Sequence, residues 1–230
     1  MKTIKNIQSL VLIFSLSLSV ILLSSCLKDL SNDEPQDASG LNVVNASPGP
    51  LAVNFFLDNN LVNGPALSYG QESAYILAAS GNRKFDAAQR GSFNSLIADT
   101  LALETDKYYS IFITGENTSL STLLTEDDLS APASGKAKLR FINLSPNGGD
   151  FSLTLQNGTV VFPGQSYKTA SAFNTMDPGA YMFQLRGTDG SVKHEASLDV
   201  AAGKIYTIWA GGLKDGVDEL GLRLIVRSNN

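Results

Sequence analysis

A chain with one histidine and one cysteine has few routes to nucleophilic or metal chemistry. A Ser-His-Asp triad would have to recruit His194. Its neighbours Lys193 and Glu195 place it on a strand near a turn, where it reads as a solvent-facing residue. Zinc sites take about four Cys, His or carboxylate ligands, and Cys26 with His194 cannot supply the usual set. Oxygen donors are more plentiful. Glu126, Asp127 and Asp128 form one acidic cluster, and Asp215, Asp218 and Glu219 another. Calcium takes about six to eight oxygens. Neither cluster has EF-hand spacing, and charged runs of this kind are usually solvated turns. A carboxylate glycosidase needs two acids facing each other across a cleft, and the sequence singles out no pair. These residues therefore assign no catalytic group, no metal and no cofactor.

Trp209 and Phe112 occupy equivalent strand positions and offer flat faces on which a sugar could stack. Large aromatics on strands are more often core, and core is the expectation here. Asn45-Ala46-Ser47-Pro48 and Asn143-Leu144-Ser145-Pro146 occur as a pair. Asn and Ser side chains bond local backbone and Pro fixes a turn, so both segments read as turn chemistry. Asp99-Thr100-Leu101 resembles the short O-glycosylation pattern of Bacteroidota, which makes Thr100 a candidate glycosylation site.

The elements that carry these residues read as strands. Phe151, Leu153 and Leu155 alternate with Ser152, Thr154 and Gln156. Tyr206, Ile208 and Ala210 alternate with Thr207 and Trp209. Leu222, Leu224 and Val226 alternate with Arg223 and Arg227. A period of two puts each apolar set on one face. Asn157-Gly158, Asp189-Gly190 and Ser47-Pro48-Gly49 punctuate the runs as hairpin and turn signals. No sustained helical period follows residue 26. The pattern predicts an all-β fold of two tandem Ig-like, antiparallel β-sandwich domains after a signal peptide and a flexible tether.

The first residues read as an address. Lys2 and Lys5 precede an apolar stretch from Leu10 to Leu23, which ends in Leu23-Ser24-Ser25-Cys26. This is the order of a secretory signal, and the stretch is shorter than the roughly 20 residues of a membrane span. The last four residues resemble the lipobox of bacterial lipoproteins. That resemblance implies cleavage between Ser25 and Cys26, and acylation of Cys26 that anchors the protein to membrane lipid. It also explains an unpaired cysteine in an exported chain. Cleavage would leave 205 residues and move the net charge from −5 to −7. An acidic surface speaks against nucleic acid. Residues 26–39 form a polar, acidic spacer, similar in part to the export signals of Bacteroidota surface lipoproteins.

The chain also repeats itself. Leu41 to Pro48 aligns with Leu139 to Pro146 at an offset of 98. Val53 to Leu57 aligns with Phe151 to Leu155, and Gly81 with Phe85 aligns with Gly179 with Phe183. Lys107 to Phe112 aligns with Lys204 to Trp209 at an offset of 97. Tyr69-Gly70-Gln71 is placed against Pro163-Gly164-Gln165 with a small gap. Two repeats follow, 40–130 and 136–230, with Ser130 to Lys136 as linker. The ordered series Val-x-Asn-Ala-Ser-Pro, Ala-Val-x-Phe-x-Leu-Asp, Tyr-Gly-Gln, Pro-Gly-x-Tyr and Ala-Gly-Lys-x-Tyr-Thr resembles the DUF4397 domain. The resemblance implies a β-fold, an envelope location in Bacteroidota-type bacteria, and no mechanism.

Together these features point to an outer-membrane lipoprotein, facing the periplasm or the cell surface. Its modules would be non-catalytic and would bind a protein partner or a glycan. A carboxylate-based glycan hydrolase and a calcium-stabilised adhesin are the alternatives.

Overall fold

The computed structural model describes residues 37–116 and 119–229, so the signal, Ser25 and Cys26 lie outside the described residues. The first eight strands are β1 (Ala38–Asn45), β2 (Val53–Leu57), β3 (Asn60–Leu61), β4 (Ile76–Ala79), β5 (Gly81–Gln89), β6 (Ser95–Leu103), β7 (Tyr108–Glu116) and β8 (Ser119–Glu126). Nine more follow: β9 (Ala137–Asn143), β10 (Phe151–Leu155), β11 (Val160–Gln165), β12 (Thr169–Ala170), β13 (Asn174–Met176), β14 (Gly179–Gly187), β15 (Val192–Val200), β16 (Ile205–Gly211) and β17 (Arg223–Ser228). The one helical element among the described residues is a 3-10 turn at Asp218–Leu220.

The strands form two sandwiches of one topology. In the first, the sheet β4-β1-β7-β8 faces the sheet β3-β2-β5-β6. In the second, β12-β9-β16-β17 with β13 beside β9 faces β11-β10-β14-β15. Alternation sets each inner face. Val53, Phe55 and Leu57 point into the first core with Phe85, Ile111 and Ile113. Phe151, Leu153, Phe183, Tyr206, Ile208 and Ala210 fill the second. β1 pairs with β7 in parallel, Val43 opposite Ile111, as β9 pairs with β16, Phe141 opposite Ile208. Each sandwich also carries a tyrosine corner, a mark of Ig-like sandwiches. The Tyr109 hydroxyl accepts the Glu104 N–H at 3.2 Å and the Tyr206 hydroxyl accepts the Ala201 N–H at 3.1 Å.

Two sequence expectations need correction. The strand begins at Ala38, inside the segment read as spacer, because Ala38 already pairs with Ala79 of β4 and its carbonyl accepts the Asp106 N–H. The gap at Tyr69 does not exist. Asn45 Nδ2 donates to the Leu67 carbonyl and Asn143 Nδ2 to the Gln165 carbonyl, which holds the offset of 98 through that region. Tyr69 thus corresponds to Tyr167, and Pro163-Gly164-Gln165 to residues 65–67.

The two sandwiches pack face to face, giving four sheet layers. β1, β7, β9 and β16 are consequently buried on both faces, with burial nearly unbroken along each. Val44, Ala46 and Phe112 of the first sandwich meet Ile142, Leu144 and Trp209 of the second in a separate core cluster. These are the same three positions of each sandwich, so the seam has the self-complementary form of a two-fold interface. Trp209 and Phe112 are core, as expected, but they belong to the seam and not to either sandwich interior.

Candidate functional site

The paired Asn-x-Ser-Pro segments do the same structural work twice. Asn45 Nδ2 donates to the carbonyls of Leu51 (3.2 Å) and Leu67 (2.9 Å), and its Oδ1 accepts the Ser47 N–H. Asn143 repeats this with Gly149 (2.8 Å), Gln165 (2.9 Å) and Ser145. Ser47 Oγ donates to the Gly115 carbonyl and Ser145 Oγ to the Gly212 carbonyl. Both glycines have positive φ, and a Cβ on either would strike backbone across the turn. Buried amides that satisfy several carbonyls fix loop shape.

What these loops frame differs between the sandwiches. β1 runs from Ala38 to Asn45, which puts the loop end about 23 Å from Ala38 at a usual rise per residue. Thr114 Oγ1 donates to the Leu144 carbonyl at 2.7 Å, which brings the second sandwich's loop to the same end. In the first sandwich this end holds an apolar cleft of about 470 Å³ lined by Pro48, Pro50, Leu51, Leu96, Ile113 and Leu120. At the corresponding end of the second lies a polar cleft of about 620 Å³, with Asp150, Asp189, Lys193, Lys214, Asp215 and Asp218.

One acid of the polar cleft is tied down by its neighbours. Asp189 accepts from Ser191 Oγ at 2.7 Å and from Lys193 Nζ at 2.9 Å. The serine first, and then the ammonium, hold its carboxyl well below the usual carboxylate range, which makes it a fixed anion and a poor proton donor. Among the described residues, no three His, Cys, Asp or Glu side chains gather closely enough to hold a metal ion.

The other acidic cluster separates at once. Glu126 pairs with Lys107 at 3.0 Å, Asp128 with Lys138 at 2.5 Å, and Asp127 turns into the seam against Arg140. Asp127 is not a solvated turn residue: it also accepts from Tyr75 Oη and Ser110 Oγ, both at 2.5 Å. Burial, then Asp127, pushes the Tyr75 hydroxyl up to about 12. Arg140 Nε donates to Thr207 Oγ1 at 2.9 Å and its guanidinium lies 4.8 Å from the Phe173 ring centre. Beside it Arg227 Nη1 donates to Asn42 Oδ1 (2.9 Å) and Ser110 Oγ (3.1 Å). Arg227 Nε lies 3.0 Å from Glu72 as an ion pair, outside hydrogen-bond geometry. Arg227 falls on the strand face that alternation marks as polar. It is buried because the other sandwich covers that face.

His194 differs from expectation. It is half-buried, and its Nδ1 accepts the Leu224 N–H at 3.2 Å, bridging β15 to β17 across the second sandwich's edge. Burial, then the Arg223 charge, lowers its pKa, while Glu195 opposes them. Thr100 is exposed on β6 opposite Lys84 of β5.

Residues 39–154 match the family model described as a domain of unknown function, DUF4397. The chain belongs to the DUF4397 family. In this DUF4397 protein the match takes in the first sandwich, the seam strand β9 and most of β10. No curated protein matches the sequence. Among solved structures the protein is similar to CBMbc, a family CBM26 module from Eubacterium rectale Amy13K crystallised with maltoheptaose. The identity is 11%, the TM-score 0.26, and the alignment covers 84% of this chain and 97% of that one. It is also similar to a streptococcal virulence factor described for alpha-glucan binding, at 12% identity and TM-score 0.24, over 76% of this chain and 92% of that one.

Proposed function

We propose that this DUF4397 protein is an exported, lipid-anchored, non-catalytic binding module of a Bacteroidota-type outer membrane, with a protein or a glycan of the cell envelope as its ligand. The second sandwich is read as a further copy of the same domain, on the strength of the repeated amide and tyrosine hydrogen bonds. The observation that carries the binding reading is the loop end. Two sandwiches that share the hydrogen bonds of their Asn-x-Ser-Pro segments present clefts of opposite chemistry there, which is where a scaffold diversifies for recognition. This end is also the far end of β1 from Ala38. Of the acids in the polar cleft, Asp189 is held in an ion pair with Lys193.

Two measurements test this. The intact lipoprotein is expected to partition with outer membranes and Cys26→Ala to be released; retention of the variant in membranes defeats the anchor. Incubated with envelope polysaccharides, the protein is expected to leave the count of reducing ends unchanged. New reducing ends, lost on substitution of Asp150 or Asp215, would establish the hydrolase instead.

A further inference from the structure

The outer face of the sheet β3-β2-β5-β6 is not built like its counterpart in the second sandwich. Phe56 of β2 stands opposite Leu61 of β3 on one side and Asp86 of β5 on the other. Phe93, at the β5–β6 turn, is 95% exposed. The two phenyl rings border a shallow concavity of about 340 Å³ floored by Ala88, with Asn59, Lys84 and Asp86 on its rim. Lys84 Nζ lies 2.9 Å from Asp86 Oδ2 and donates to Asn59 Oδ1 at 3.3 Å. The polar members are thus already linked, and their charges cancel.

The equivalent face of the second sandwich is closed. Thr154 stands where the first has Phe56, Gln184 where it has Asp86 and Arg186 where it has Ala88, and the β14–β15 turn, one residue shorter, holds Thr188 to Ser191 with no ring to match Phe93. Arg186 donates to Thr154 Oγ1 at 3.1 Å and to Gln184 Oε1 at 2.6 Å, and Gln184 Nε2 donates to Glu195 at 2.6 Å. Thr154 and Gln184 are buried beneath this network. The fold therefore requires neither the exposed Phe93 ring, the half-buried Phe56 ring nor an open floor on that face. In the first sandwich an arginine-sized volume is vacant and two apolar rings border it.

We infer that the concavity bordered by Phe56 and Phe93 is a binding site for a neutral carbohydrate, one that deepens the binding-module reading and rests on it. An aromatic face takes the apolar C–H face of a pyranose, and rings are expensive to leave in water unless something covers them. Hydroxyls both donate and accept, so they can enter the linked amide, carboxylate and ammonium without unpairing a charge. A charged ligand would find no net field to attract it, and a purely apolar one would strand the three polar groups.

The test uses the full chain in affinity electrophoresis through gels containing neutral glucan, neutral mannan or, as the charged control, polygalacturonate. The wild type is expected to be retarded by at least one neutral polymer and not by polygalacturonate. Phe93→Ala removes a fully exposed ring and leaves the fold intact, and it is expected to weaken binding about tenfold. Lys84→Met, which installs the residue found in the second sandwich, is expected to weaken it too. Retardation unchanged in both variants overturns this site while leaving the binding reading in place, since the glycan would then sit elsewhere. No retardation by any neutral polymer overturns the carbohydrate assignment. Matching melting temperatures of the three proteins exclude unfolding as the cause of a loss.

Discussion

Asp127 and Arg140 pair inside the seam, with side-chain exposures of 0% and 2%, although only thirteen residues of chain separate them. The acid ends the first sandwich and the base stands on the second strand-face across from it. Burial lowers the pKa of Arg140 and Asp127 acts against that, so each partner keeps the other tolerable in a dry layer. Asp127→Leu or Arg140→Met alone is expected to cost about 3–5 kcal/mol in urea unfolding, because a lone buried charge remains. The double variant is expected to recover most of that loss.

Trp209 is the only tryptophan and lies in the seam, so its fluorescence reports on contact between the sandwiches. Fluorescence and far-ultraviolet circular dichroism are expected to change together on unfolding, as for one cooperative unit. Phe112→Ala, at the corresponding position opposite, is expected to cost about 3–5 kcal/mol. An earlier red shift of Trp209 fluorescence would show the sandwiches parting before they unfold.

His194 gives a pH dependence of known sign. Its folded pKa lies below the unfolded value of about 6.5, so the unfolded chain binds the extra proton first. This contribution is complete above about pH 6.5 and is lost as pH falls through the lowered folded value. A protonated ring could not accept from the Leu224 N–H. The urea midpoint of wild type is expected to fall further than that of His194→Gln between pH 7.5 and pH 5.

Asn45→Ala and Asn143→Ala each remove two side-chain hydrogen bonds to backbone carbonyls. Each is expected to cost about 1–3 kcal/mol by thermal or urea unfolding, and nearly equally, since the bonds lost are the same. Asn45→Asp is expected to be worse than Asn45→Ala, because it turns a donor toward those carbonyls into a third acceptor.

Strand identity and inner faces were legible because alternation is strict where one side of a sheet is apolar. Tyr206, Ile208 and Ala210 read correctly for that reason. The seam was not legible. Thr207, Arg140 and Arg227 have the polar side chains of a wetted face, and only the arrival of a second sandwich buries them. A signal was present in hindsight: β1, β7, β9 and β16 carry large apolar residues on both faces, as in Leu41-Asn42-Val43-Val44. The concavity at Phe56 was likewise hidden, because its rings lie 37 positions apart in sequence and β2 and the β5–β6 turn bring them together. His194 was misplaced because nothing near it in sequence announces Leu224.

Asp127 and Arg140 each have an uncharged amide at the matching place in the other sandwich. Asn42 corresponds to Arg140, and the Ser110–Asp127 hydrogen bond to that between Thr207 and Asn229. If two molecules crowded on a membrane tried to join like half to like half, the acid would meet only Asn42, and the guanidinium only Asn229. Neither would find a counter-ion. The division of charge between the halves thus favours the meeting of unlike halves over like ones, a selectivity that two identical halves could not provide.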